Sequence, residues 1–341
     1  MRSINPYRQA GLSLVELMIA ITLSTLLMLG VTQIFLSSKE TYVKNQELSE
    51  IQENGRFALE LLVRDIANAG YQGQCSIESV LSPQDYTDLC SDNNDLNSSC
   101  LPRNHLDDSK RSIWSQQDGA VIGWSSGKAP SFIQVPAGSD GLFIQFAAGG
   151  STHYRDGSGN KQDEQIKLDT TEGIYSPLLD GDIGLIADGR GCDLFKNKID
   201  NTSLNNDYIK KDSSHDWTSY YNNGFEVLRF ESRAYYIDKD EVDDVRSLFR
   251  ARYDYDNTII EQELLVSGVK KIQLEYGVAA KSFDATDDAP VISKYVTADE
   301  VNNWQAVLAV RVTLTVVAKS GLQKDFSTLV VLRNRFHEKS F

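Results

Sequence analysis

The chain has 341 residues, enough for a sizeable core and one or two domains. Its 48 acids against 34 bases give a net charge of −14, which keeps a domain soluble and argues against nucleic-acid binding across the whole surface. Four cysteines without a C-x-x-C pair, and four scattered histidines (His105, His153, His215, His337), favour disulfides over a zinc site.

The first residues carry Arg2 and Arg8 and no acid. Then Gly11-Leu12-Ser13-Leu14-Val15-Glu16 opens a long apolar run, uncharged over 17–36. A bilayer is crossed by about 20 such residues. A carboxylate there is expensive and marks a functional candidate whose partner must be named. In a chain beginning after Gly11, Glu16 is the fifth residue, and the free amine of Leu12 on a neighbouring copy is its natural cation. A secretory signal has an apolar core of roughly 7–15 residues and a small-residue cleavage site. This run is longer, Glu16 interrupts its start, and no such site follows near Leu36. A plain membrane anchor leaves Glu16 unexplained. Thr22, Ser24, Thr25, Thr32 and Gln33 are polar without charge and permit close helix packing in lipid.

The helical pattern continues. Leu48, Ile51, Gly55, Ala58, Leu62, Ile66 and Ala69 recur at three- and four-residue steps, with Gly70 as a stop. A helix over 12–69 is about 87 Å long at 1.5 Å per residue. Gly30 and Gly55 are expected points of local bending. Residues 71–118 are polar and turn-rich, with Pro83, Pro102, Cys75, Cys90 and Cys100. Of three possible pairings, Cys90 with Cys100 closes a local polar loop, which leaves Cys75 for Cys192.

Strands are predicted over 120–124, 142–147, 182–187, 226–237, 249–254, 259–266, 269–276, 304–318 and 326–333. The pair 249–254 and 259–266 reads as a hairpin across Asp256-Asn257. Period-two alternation puts Ile272, Leu274 and Tyr276, and Leu308, Val310, Val312, Leu314 and Val316, on buried faces of antiparallel strands. Segments 148–165, 196–224 and 281–299 read as solvated loops. No Pro- or Gly-rich linker divides the chain, so an α+β fold follows: a long N-terminal helix packed on one antiparallel sheet with large loops.

Other motifs carry less chemistry. Gly123-Trp124-Ser125-Ser126-Gly127 matches the G-x-S-x-G of a hydrolase elbow, but Lys128-Ala129-Pro130 opens no helix, as that motif needs. The acidic groups Asp238, Asp240, Asp243, Asp244 and Asp92, Asp95 do not fit a calcium loop, so no metal and no cofactor are expected. Arg311, Arg333 and Arg335 read as solvated strand-face charges.

The N-terminus resembles the type IV pilins. The resemblance implies cleavage after Gly11 by prepilin peptidase, N-methylation of Leu12, and pairing of Glu16 with a neighbour's terminal amine. Pilins usually begin with Phe, and Leu12 keeps a bulky apolar residue there. Removal of Arg2 and Arg8 leaves 32 bases against 48 acids, a net charge of −16. Three segments further resemble PilW-type minor pilins: Arg64-Asp65-Ile66-Ala67-Asn68-Ala69-Gly70-Tyr71-Gln72-Gly73, Ala187-Asp188-Gly189-Arg190-Gly191-Cys192-Asp193-Leu194-Phe195, and Leu332-Arg333-Asn334-Arg335. This implies a leader at 1–11, a membrane or fibre-core helix at 12–36, an amphipathic continuation at 37–70 and a β-rich head at 71–341. It also implies a non-enzymatic assembly subunit, held in the bacterial inner membrane with its head in the periplasm and then placed at the pilus tip. The implied partners are other minor pilins, the major pilin, prepilin peptidase, the inner-membrane assembly platform and a large tip adhesin, with no direct nucleic acid. Twitching motility, adhesion and DNA uptake would follow. The J-type pseudopilins of type II secretion are the nearest alternative, and a membrane-anchored hydrolase using Ser125 is the second.

Overall fold

A computed structural model describes residues 13–74, 103–104, 120–125, 128–129, 133, 135, 140–188, 191–199, 206–212, 216–222, 224–239, 245–253, 259–279 and 291–335. One helix, α1 (Leu14–Asn68), runs 55 residues, about 82 Å at helical rise. Fourteen strands follow among the described residues: β1 (Arg103–Asn104), β2 (Val121–Trp124), β3 (Gly141–His153), β4 (Gln165–Lys167), β5 (Ile183–Ala187), β6 (Cys192–Lys196), β7 (Tyr208–Lys210), β8 (Phe225–Lys239), β9 (Arg246–Tyr253), β10 (Ile259–Ser267), β11 (Val269–Ala279), β12 (Ile292–Val296), β13 (Val307–Val317) and β14 (Gln323–Val331).

The α+β order holds, but the strands make two sheets and a ribbon rather than one sheet. The larger sheet runs β1-β6-β5-β8-β3-β2, with β9 on β8 and β10 on β9. Its organiser is β8, fifteen residues long. One stretch pairs with β5 and a later one with β9, while β3 lies along its other side. The β1–β6 pair is parallel, which period-two patterning could not have distinguished. The smaller sheet runs β12-β11-β13-β14, and β4 pairs with β7 apart from both.

The chain passes from β10 in one sheet to β11 in the other through Gly268 alone. This glycine has φ +80°, and a Cβ on it would lie 2.9 Å from the Val317 carbonyl oxygen. The corner therefore needs glycine for both conformation and space. Between the sheets and α1 lies the main core. Ile51, Ala58, Leu62, Ile66 and Ala69 pack with Val310, Val312, Leu314 and Val316 of β13 and with Val330 of β14. Each such fully buried Leu, Ile or Val contributes about 1.5–3 kcal/mol.

The expectation of three solvated loops is corrected. The segments read as solvated loops contain structure: β3 extends to His153, β7 lies within 196–224, and β12 within 281–299. Ile209, Trp217 and Tyr221 are fully buried in a second core with Phe195 and Phe225. The Asn, Asp and Ser around them hid these three apolar anchors, spaced too irregularly for any periodic signal. α1 is continuous through Gly30 and Gly55. Gly55 serves packing, because a Cβ on it would lie 2.4 Å from the Phe326 ring, and Gly30 meets nothing within 4 Å. The stop at Gly70 holds, with φ +80° and its amide donating to the Gln145 carbonyl.

Cys192 is buried in β6 and disulfide-bonded. Cys75, Cys90 and Cys100 lie outside the described residues, as do Gly11 and Leu12, the tip of the β9–β10 hairpin, Asp92, Asp95, Asp240, Asp243, Asp244, His105, His215 and His337.

Candidate functional site

The first half of α1 is an unsheathed apolar rod. Its best 18-residue window has mean hydropathy 2.2 and none of it is buried. Leu27 is 72% and Met28 73% exposed. The threonine hydroxyls inside this rod are satisfied by the helix itself: Thr22 donates to the Met18 and Ile19 carbonyls, Thr25 to Thr22, and Thr32 to Met28. They therefore add no unmet polar demand in an apolar medium. Glu16 is the exception. It sits exposed in the first turn, where the helix dipole favours an acid. No side chain among the described residues pairs with it. Such a carboxylate, moved out of water, needs a cation supplied from elsewhere.

From Glu47 onward the helix is gripped by the head. Glu47 receives a hydrogen bond from Ser320 in the β13–β14 turn, and Asn54 donates to the Ser267 carbonyl at 3.4 Å. The Phe326 ring fills the notch at Gly55. Near the helix end, buried Asp65 accepts from Arg233 Nη1 at 2.6 Å and from the Tyr235 hydroxyl, with Arg250 at 3.9 Å. Glu231 holds the other side of Arg233, through Nε at 2.7 Å and through Nη2. Burial disfavours the Arg233 charge, but Glu231 and Asp65 outweigh it and its pKa is raised. Burial, with Asp65 beside it, also pushes the Tyr235 phenol up. Finally, Asn334 Nδ2 reaches the carbonyls of Ala67, Asn68 and Ala69 at 3.5, 3.3 and 3.2 Å. These are the orphan acceptors of a helix C-terminus, and Asn334 caps them from the far end of the chain.

The middle segment has a comparable architectural job. Asp188 accepts from the Gly191 amide at 2.9 Å and from Ser219. Asp193, fully buried, accepts from the Thr218 amide, the Thr218 hydroxyl and the Tyr221 hydroxyl at 2.9, 2.7 and 2.6 Å. These bonds hold Tyr221 at φ 43°, a conformation costly for a non-glycine residue. Desolvation, then Asp193, drives the Tyr221 pKa well up.

The hydrolase-like motif is absorbed by packing. A Cβ on Gly123 would lie 1.7 Å from the Tyr276 hydroxyl, so this glycine makes room for a core tyrosine. After β2 the Lys128 amide donates to the Ser125 carbonyl at 2.9 Å, and among the described residues neither Lys128 nor Ala129 is helical, where that motif needs a helix. Arg311 pairs with Glu275 at 2.8 Å and lies over the Tyr295 ring, so it is partnered rather than merely solvated. Arg333 is exposed. Among the described residues no group of His, Cys, Asp or Glu is arranged to hold a metal ion.

Two family models match the chain. The prokaryotic N-terminal methylation motif matches residues 6–32, spanning Gly11, Leu12, Glu16 and most of the apolar rod. The type IV pilus-assembly protein W model matches residues 234–334. Together these two matches support a type IV pilus minor pilin of the PilW family. No curated protein and no solved structure matches it. The PilW match contains Tyr235, Arg250, Phe326 and Asn334, and it ends on the residue that caps α1. What the PilW region builds in this chain is thus the seat of the stem helix. A pilin of this family is a structural subunit, anchored through an apolar N-terminal helix and working with other pilus components.

Sequence patterning singled out the rod and Glu16 but missed the grip. Asp65 lies within the segment that resembles PilW-type minor pilins, but its partners are not visible in the sequence. Its signal is an acid on the stripe of Ala58, Leu62, Ile66 and Ala69. Phe326 and Asn334 carry no periodic signal, because each acts on a helix more than 250 positions away in sequence.

Proposed function

We propose that this subunit enters a type IV pilus by the pairing of Glu16 with the terminal amine of an adjacent subunit. The precursor lies in the inner membrane with 1–11 in the cytoplasm, as Arg2 and Arg8 favour. Prepilin peptidase cuts after Gly11, and Leu12 becomes the N-methylated terminus. Residues 12–36 span the bilayer, 37–70 lead into the head, and 71–341 form the head in the periplasm. During extraction, charge pairing at Glu16 sets the register while the apolar rods pack together. The subunit joins other minor pilins in a tip complex that primes assembly, contacts the major pilin and the inner-membrane platform, and carries a large adhesin. Twitching, adhesion and DNA uptake depend on that complex. Within the head, Cys75 pairs with Cys192 and Cys90 with Cys100.

The observation that carries this reading is a lone acid, one turn into an exposed apolar rod, whose other end is clamped to a folded head. Co-purification of Glu16→Ala with partner pilins from native membranes tests it. Cleavage should persist while incorporation falls. Unchanged incorporation would remove the charge-pairing step. Deletion of the subunit should reduce surface pili and spare secretion of folded exoproteins. The reverse pattern would place it in a secretion pseudopilus.

A further inference from the structure

Among the described residues, none pairs with the far edge of the smaller sheet, formed by β14, which pairs only with β13. A free edge exposes unpaired amides and carbonyls, and proteins usually protect such edges with charge, brevity or twist. Other edges here are protected: β10 carries Glu261 and Glu263, β12 carries Lys294, and β1 and β2 are two and four residues long. In β14 the charges stop at Lys324 and Asp325, and the next six residues, Phe326-Ser327-Thr328-Leu329-Val330-Val331, have none.

The edge is also flanked by apolar side chains on both faces. On the outer face Leu329 is 47% and Val331 44% exposed. On the inner face α1 runs alongside. Gly55, Leu59, Val63 and Ala67 form one ridge at four-residue steps. Its two ends are pinned to the strand, Gly55 over Phe326 and the Ala67 carbonyl under Asn334 just past the strand. Leu59 and Val63, between those pins, are only partly buried. A strand laid beside β14 would place alternate side chains against Leu59 and Val63 and the others against Leu329 and Val331. At the two ends stand exposed Lys324 and Arg333, two cations in a chain of net charge −14.

We propose that the β14 edge accepts an extended strand from a partner protein, with about six uncharged residues and an acid at each end, adding to the sheet by main-chain hydrogen bonds. This surface is formed by β14 and the head-packed half of α1, far along the helix from Glu16, so it does not depend on Glu16 pairing.

The test uses the full mature chain in detergent micelles and a fluorescein-labelled peptide, Asp-Val-Thr-Val-Thr-Val-Thr-Asp. Fluorescence anisotropy should show saturable binding, and amide hydrogen exchange should slow within 323–331. Leu329→Lys places a charge on an exposed position of the edge and should weaken binding at least about tenfold with unchanged thermal unfolding. Ile260→Lys on the β10 edge should bind as the parent does. Absence of binding, binding without protection of 323–331, or full binding by Leu329→Lys would overturn the proposal. Dimerisation that protects the same amides and is lost in Leu329→Lys would give the edge to a second copy and likewise overturn it.

Discussion

Asp65 and Arg233 are 168 positions apart and meet at 2.6 Å, where the stem helix ends against the head. The contact is mostly withdrawn from water, with 11% and 18% of the two side chains exposed. Asp65→Ala would leave Arg233 with one carboxylate and the Tyr235 hydroxyl with none. Loss of one partner from a buried pair typically costs about 3–5 kcal/mol, and retention of Glu231 places this case at the lower end. Thermal unfolding followed by tryptophan fluorescence should show a drop of several degrees. A change within error would mean that the pair contributes nothing net.

Gly55 and Phe326 make a second, purely steric contact. Gly55→Ala should destabilise by about 1–3 kcal/mol through overpacking, despite the better helix propensity of alanine. In the double variant Gly55→Ala/Phe326→Leu the added penalty should shrink, since the ring is what the methyl meets. Additive effects in denaturant unfolding would disprove the coupling.

Asn334 offers a local test. Asn334→Ala removes bonds to the carbonyls of Ala67, Asn68 and Ala69, a loss of about 1 kcal/mol. Amide exchange should quicken in the last turn of α1 while β13 is unaffected. Uniform change across the head would argue that Asn334 matters for folding at large rather than as a cap.

His153 predicts a pH response. It is 1% exposed, its Nε2 lies 2.8 Å from the Ser151 hydroxyl, and its Nδ1 is buried without a partner. Burial holds its pKa below the ordinary value of 6.5. The folded state therefore binds fewer protons than the unfolded one, so this stability is present above the ordinary value and lost as pH falls through it. Denaturant midpoints should decline from pH 7 to pH 5, and His153→Gln should decline less. Equal slopes would exclude His153 as the cause.

Much of the frame was legible from local pattern. The rod, the stripe ending at Ala69, the stop at Gly70 and the alternating faces of β11 and β13 all follow from periods of 3.6 and 2. Strand ends shifted, as for β3, which runs on to His153 through a bulge near Gly149 and Gly150. What pattern could not supply is long-range. The division into two sheets turns on one glycine at 268, and the second core rests on Trp217 and Tyr221 inside a polar stretch. The reason for Gly123 became visible only with Tyr276 beside it. In the candidate site, Glu16 stood out because charge in an apolar run is rare. Asp65, Phe326 and Asn334 did not, because their partners lie across the fold.

The most direct test of the assembly account is the intact mass and N-terminal peptide of the protein purified from native membranes. A chain that starts at N-methylated Leu12, with Glu16 as its fifth residue, is the predicted result. A chain that still starts at Met1, or one cut beyond Leu36, would contradict it and leave α1 as an anchor without an assembly role.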